Sequence, residues 1–356
     1  MKMDESAMPL VSPSRQRNVV TVLPANCRFI ASKKHNNSKM NVQNRRLPLP
    51  IELVTLAYTL FTTLLIALLG HDMADPWRLI EGRAFVVVGM TLIYLIYRAR
   101  PNRYTLFLRY LFPLSLLGYW YPDTYEFCQL FGNADHIFAQ ADQVLFGCQP
   151  AISFAESFPE KIWSELFHMG YFAYYPLIAL TVLAPLFTDR SKFEGTAFIV
   201  LTSFFLYYTI YLFLPVTGPQ YYFHAVGQDL ILAGHFPEVG DYFRYHNELA
   251  HAPGPDGFFR SLVESSQATG ERPTAAFPSS HVGMSTILMI LLINNRRYLF
   301  FGALPFYFFL CCATVYIQAH YLIDVFGGLI TAIIFYSFCK WAWTRFSRNE
   351  LHPYWS

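Results

Sequence analysis

An all-α, polytopic membrane helix bundle is the fold class this sequence predicts, and three observations predict it. Hydrophobic residues make up 54% of the 356 positions and charged residues only 14%, against about 25% charged in a typical soluble domain. The apolar residues gather in eight stretches nearly free of charge. The basic residues gather between alternate stretches, on one side of the implied bilayer. Length alone would allow two soluble domains, but this distribution argues for one membrane-embedded unit of about eight transmembrane helices.

The stretches run in order. Residues 1–50 are polar and basic, and lack the apolar core of a cleavable signal peptide, so the first stretch, 51–70, acts as the membrane signal. That tail is expected to be disordered, cytoplasmic and drawn to anionic lipid. Its scattered charges carry no motif for nucleic acid. Stretches 84–97 and 105–120 complete an accessory region, 51–120, that includes the first core helix. Residues 121–165 form an outer interfacial loop ending in Glu160-Lys161-Ile162-Trp163, a run suited to the water–lipid boundary. Stretches 166–187, 196–214, 282–293, 299–317 and 321–341 build the main membrane domain, 166–341, and residues 342–356 form a second cytoplasmic tail. Several stretches approach the roughly 20 residues needed to cross the hydrocarbon layer. In lipid the backbone must bond to itself, which makes them helices. The short stretch at 282 can be lengthened by Ser279 to His281 at a polar rim.

Charge fixes the orientation. The formal net charge is only +2, yet nineteen of the 26 lysines and arginines fall on the inner side when the N-terminus is inside. Arg98, Arg100, Arg103, Arg190, Lys192, Arg296 and Arg297 mark the inner loops; the outer side holds Arg78, Arg83, Lys161, Arg244, Arg260 and Arg272. Arg109, one turn inside the third stretch, is expected to snorkel inward. Both termini are then cytoplasmic.

Of the six cysteines, Cys311, Cys312 and Cys339 lie in spans and read as small apolar packers, and Cys27 is in the tail. Cys128 and Cys148 share the outer loop, where an oxidising exterior would permit a disulfide. No Cys–His spacing suggests zinc, and no carboxylates cluster at the outer face, so neither a metal nor another cofactor is expected. The outer connection 215–278 is long and punctuated by Gly218-Pro219, Gly254-Pro255 and Gly270. Such a connection usually works as a lid or binding loop, and it is expected to fold over the catalytic residues.

Two short motifs carry the chemistry. His320 and Asp324 are four apart at the start of a helix, hence on one face. The aspartate is expected to hold one ring nitrogen and leave the other as a nucleophile. Asp324 is also an ionisable group within a span, which is costly and usually functional. Pro278-Ser279-Ser280-His281 opens another apolar stretch. A serine can cap that helix, and its free amides make a phosphate cradle. Gly327 and Gly328 would let the His320 helix approach the His281 helix closely. The mechanism that follows has His320 attack phosphorus and form a phosphohistidine, supported by Asp324. His281 protonates the leaving oxygen and then deprotonates the acceptor. Ser279, Ser280, backbone amides and Arg272 are the candidate phosphate donors, with Arg260 and Arg244 behind them.

These residues resemble the type 2 phosphatidic acid phosphatase superfamily, which also includes acid phosphatases and vanadium haloperoxidases. Its second motif, Pro-Ser-Gly-His, stands here as Pro278-Ser279-Ser280-His281. Its third, Ser-Arg, five residues, His, three residues, Asp, keeps His320 and Asp324 but has Ala313-Thr314 in place of Ser-Arg. Arg272-Pro273 copies the end of the first motif, with Ser265 where its lysine would be. The resemblance implies a six-helix core. The reduced basic clamp is similar to the branch of inositol phosphorylceramide and sphingomyelin synthases. So are Ala276-Phe277-Pro278-Ser279-Ser280-His281, Ala319-His320-Tyr321-Leu322-Ile323-Asp324 and the run from Leu214 to Gln220, Tyr221 and Tyr222. That branch implies substrate contacts from Gln220, Tyr221, Tyr222 and Tyr321. It implies transfer of a phosphorylated head group, such as phosphoinositol, from a phospholipid to ceramide or diacylglycerol. The alternative is hydrolysis of phosphatidate or a polyprenyl diphosphate.

Overall fold

The computed structural model describes residues 48–349, the side chains of residues 269 and 347–349 excepted. The expected disordered tail, Cys27 included, lies outside the described residues except at its last three positions. Every regular element among the described residues is a helix.

Helices α1 (Pro50–Leu69) and α2 (Pro76–Ala99) both open on proline, at the position where a missing N–H removes no intrahelical bond. The Asp75 carboxylate caps α2 by accepting the Arg78 amide at 3.0 Å. The third expected stretch is two helices, α3 (Arg103–Ser115) and α4 (Leu117–Cys128), which meet at Leu116. Pro113 and Pro122 lie on either side of the break, and each removes a helical donor. Arg109 does not snorkel. It is 1% exposed, and its Nε and Nη2 donate to the two Glu52 carboxylate oxygens at 2.6 Å each. Arg83 of α2 forms a second buried pair with Asp123 of α4, at 2.9 and 2.5 Å. The accessory helices are therefore tied by paired charges as well as by packing. Removing one partner of such a pair costs about 3–5 kcal/mol.

The expected interfacial loop, 121–165, contains α5 (Asp135–Phe146) and α6 (Pro150–Ser157). Helices α7 (Lys161–Phe172) and α8 (Tyr174–Thr188) together make one candidate span. Helix α9 (Phe193–Tyr211) is the axis of the bundle, with 83% of its span buried. It packs on α1, α3 and α4 to one side. To the other it packs on α8, α13 (Ser280–Asn295) and α15 (Leu322–Asn349). Between α13 and α15 runs α14 (Arg297–Tyr316), which packs on α7 and α13. Among the described residues six segments, the α7–α8 pair counted as one, are long and apolar enough to cross a membrane. The other two expected spans fall short, 105–120 because it is broken and 282–293 because α13 has only 16 residues. Residues 342–349, expected as tail, continue the last helix.

The long connection 215–278 folds into α10 (Pro219–Val226), α11 (Gln228–Leu232) and α12 (Phe258–Gly270), the last packed on α7. Cys128 and Cys148 are both free thiols, one buried and the other exposed. Burial pushes the Cys128 thiol up to about 12.

The crossing of α13 and α15 sets up the site. A Cβ at Gly328 would lie 2.6 Å from the Ser279 carbonyl oxygen, so glycine is what lets these two helices meet backbone to backbone.

Candidate active site

Ser279 caps α13, its Oγ accepting the Val282 amide at 3.3 Å, while its own amide donates to the Asp324 carbonyl at 3.1 Å. That second bond staples the start of α13 to α15. His281 falls in the first turn of α13, beside amides with no intrahelical partner. Its ring is held by two tyrosines of the α7–α8 span. Tyr171 stacks on it at 4.5 Å between centroids and Tyr174 lies at 4.6 Å. The His320 ring stands 5.7 Å away at 63° to it. The two predicted histidines thus face each other across one small space.

His320 precedes α15, which starts at Leu322. It therefore sits on the entering turn, and its nearest partner differs from the expected one. Its Nδ1 lies 2.8 Å from the Ala276 carbonyl oxygen and 3.5 Å from Asp324 Oδ2. A carbonyl only accepts, so Nδ1 carries the hydrogen and Nε2 keeps the lone pair. Asp324 Oδ2 instead accepts the Tyr321 amide at 2.9 Å, holding the turn itself. Asp324 Oδ1 is buried with no hydrogen-bond partner among the described residues. Burial pushes His320 down to about 4, opposed by the Ala276 bond, so the ring is neutral at neutral pH.

The backbone around this ring is strained. Ala275 (φ 71°) and Gln318 (φ 63°) are the non-glycine residues in the left-handed region among those described, and they flank Ala276 and His320. Each such residue costs about 1–3 kcal/mol and persists where the surroundings over-determine it. Here the Gln318 carbonyl accepts the Gln220 amide at 2.7 Å, and the Ala276 amide donates to Val216 at 2.9 Å. Gly218 (φ 90°) closes the back of the turn, where a Cβ would meet the Ala319 carbonyl oxygen at 2.4 Å.

Two cavities meet at His281. The inner chamber is lined by Thr217, Gln220, Glu271, Thr274, His281 and His320. At about 10 Å³ it has room for about one water. The outer cavity, about 400 Å³, runs between helices past Leu117, Tyr174, Ile178, Phe204 and Tyr208. Both are bordered by Tyr121, Tyr171, Glu271, Ser280 and His281. Glu271 was not legible as a site residue. Its Oε1 accepts the Tyr121 hydroxyl at 2.9 Å, and burial pushes it up to about 7.

The other predicted site residues divide. Ser280 lines both cavities and Gln220 the inner one, and Gln220 Oε1 accepts from Gln267 Nε2 at 3.4 Å. Tyr221, Tyr222 and Tyr321 are buried and line neither cavity. Tyr221 packs on Phe243 at 6.2 Å. The Tyr222 hydroxyl donates to the Pro237 carbonyl at 2.8 Å and that of Tyr321 to Asp135 at 2.9 Å. These tyrosines build the frame. Arg272 is exposed and donates to the adjacent Glu271 carbonyl at 3.3 Å. Arg260 is paired with Glu264 at 2.9 Å, and Arg244 donates to the Asp72 carbonyl at 3.2 Å. Among the described residues no lysine or arginine lines either cavity. The donors at hand for an anion are the first-turn amides of α13 before Val282, and Ser280.

No curated protein and no solved structure matches the chain. The sequence profile of the PAP2 superfamily matches residues 138–338. That is more than half of the chain, and it includes the whole histidine–aspartate site. The chain belongs to the PAP2 superfamily.

Proposed function

We propose that the protein is a membrane lipid phosphotransferase that works through a phosphohistidine on His320. It moves a phosphorylated head group, phosphoinositol being the leading case, from a phospholipid to the hydroxyl of ceramide or diacylglycerol. The observation that carries this reading is the junction of the two cavities. A neutral His320 with Nε2 as its lone pair faces His281 in a chamber with room for about one water. That chamber adjoins a cavity of about 400 Å³ walled by aromatic and aliphatic side chains, within the size range of ligand pockets. Phosphorus is reached from the polar side and lipid chains from the apolar side.

The steps balance as follows. His320 Nε2 attacks phosphorus, and the phosphorus–oxygen bond to the diacylglycerol breaks. The anionic phosphate entering beside His281 favours the protonated ring, which gives its proton to the departing oxygen. The first-turn amides of α13 and Ser280 hold the equatorial oxygens. The acceptor hydroxyl then loses its proton to His281, or to Glu271 at the junction, and its oxygen displaces Nε2 from phosphorus. No step draws on a metal.

A second reading, hydrolysis of phosphatidate or a polyprenyl diphosphate, is favoured by the polar lining of the inner chamber, where Thr217, Gln220 and Thr274 can hold one water. The proposal puts the site on the extracytoplasmic side, with both termini inside. The basic loops support this. Arg296 donates to the Thr188 carbonyl and Lys192 to that of Asn294, gathering those charges at the other end of α13 from His281.

The test is a product assay. Purified protein is given labelled phosphatidylinositol or labelled phosphatidate, with and without ceramide. Labelled phosphoceramide supports transfer, and labelled free phosphate alone supports hydrolysis. Full activity in His320→Ala overturns both.

A further inference from the structure

We infer that α5 is a two-point brace for the nucleophile, in which Asp135 and Asp142 are positioning residues that hold His320 in line with phosphorus. The inference rests on the phosphohistidine reading and adds to it a helix outside both histidine motifs.

The two aspartates are seven residues apart, two helical turns, and so project from one face of α5. Both are fully buried. Asp142 grips the start of α15, its Oδ2 accepting the Leu322 amide at 2.8 Å and its Oδ1 the Ile323 amide at 3.0 Å. These amides come directly after the turn that carries His320. A carboxylate there also suits the positive end of the helix. Asp135 grips the opposite side of the same turn. Its Oδ1 accepts the Tyr321 hydroxyl at 2.9 Å and the Gly218 amide at 2.8 Å. Its Oδ2 accepts the Thr217 amide and hydroxyl at 2.7 and 2.9 Å and Asn133 Nδ2 at 2.6 Å.

The Asp135 arm reaches the ring. Thr217 and Gly218 continue from Val216, whose carbonyl accepts the Ala276 amide at 2.9 Å. The Ala276 carbonyl then accepts His320 Nδ1 at 2.8 Å. Gly218 itself backs onto the Ala319 carbonyl. One aspartate thus fixes where the ring points, and the other fixes where the backbone after it lies. Apolar side chains would attach α5 to the bundle without the desolvation cost of two buried carboxylates. What the carboxylates add is direction, since each oxygen demands a donor at one place.

Two variants test this, with Val144→Ala on the exposed face of α5 as control. Asp142→Asn turns an amide NH₂ toward one of the two backbone N–H groups. Tyr321→Phe removes only the hydroxyl arm to Asp135 and leaves its other donors in place. Single-turnover formation of an acid-labile label on histidine is measured with head-group-labelled phosphatidylinositol, alongside KM and the thermal midpoint in detergent. A misplacement of about 1 Å can cost about 10²-fold. The expected result is a 10- to 100-fold slower labelling in Asp142→Asn and a smaller loss in Tyr321→Phe. KM and thermal midpoint should stay near those of Val144→Ala. Labelling at the control rate in Tyr321→Phe and in folded Asp142→Asn overturns the brace alone, as does a loss in step with the thermal midpoint. Absence of the label from the unmodified protein overturns the phosphohistidine reading and the brace with it.

Discussion

The two helix starts that carry the histidines are built in opposite ways. At α15 the opening amides are already taken, those of Leu322 and Ile323 by Asp142 and that of Tyr321 by Asp324. At α13 the cap is a single neutral hydroxyl, Ser279, on the Val282 amide. One helix mouth has its opening amides engaged by carboxyl groups and cannot also hold a phosphate. The other keeps the first-turn amides before Val282 for an anion. The difference assigns the parts. The filled mouth is a rigid post for a nucleophile, and the open one is the cradle to which phosphate is brought. It also explains how the site does without a lysine or arginine in its walls.

Substitutions can break or sharpen this contrast. The largest effect is expected from His320→Ala, a loss of about 10³-fold or more in turnover with lipid binding retained, read from kcat and KM separately. His281→Ala should lose about 10²- to 10⁴-fold, the range for a proton-transfer group. It should be partly rescued by a substrate whose leaving group needs no proton. If the two losses were reversed, the post and the cradle would have been exchanged.

Next comes Glu271→Gln. Glu271 is pushed up to about 7 by burial, against the Tyr121 hydrogen bond. As a proton acceptor it works only when ionised, so transfer should rise as pH climbs through about 7. The Gln variant should lose about 10²-fold and flatten that limb of the pH–rate profile. An unchanged profile would remove Glu271 from the chemistry.

Smaller effects separate the caps. Ser279→Ala should cost about 1 kcal/mol of stability, the usual value of a lost N-cap, seen as a lower thermal midpoint in detergent. Gln318→Gly should raise that midpoint slightly, by up to about 1 kcal/mol of relieved strain, because its φ of 63° suits glycine. A fall instead would mean that the Gln318 side chain does more than tolerate the turn.

Much of this was legible in the sequence. The apolar stretches gave the helices, and the two histidine motifs gave residues that do come together. Gly328 was readable as a close approach because small residues in spans have few other uses. The rest was hidden for physical reasons. Nothing local marks Glu271 as enclosed, since a glutamate in a polar loop is normally solvated. The brace left one clue, two aspartates spaced by two turns within an otherwise apolar face of α5, but only the fold shows which amides they meet. Tyr222 and Tyr321 stand next to functional residues in sequence, yet their hydroxyls hold Pro237 and Asp135 instead of facing the cavities. The break in 105–120 had its signal in Pro113 and Pro122, which the run of apolar residues outweighed. His320 was expected to lean on Asp324, but α15 begins two residues later than the motif suggests, and the Ala276 carbonyl is nearer.

The most direct measurement is to quench a reaction with labelled phosphatidylinositol and map the adduct by mass spectrometry. Phosphoinositol bound through nitrogen to the peptide that contains His320, stable to base and lost in acid, is the predicted result. Full turnover with that peptide unmodified, or with the adduct on another residue, would contradict it.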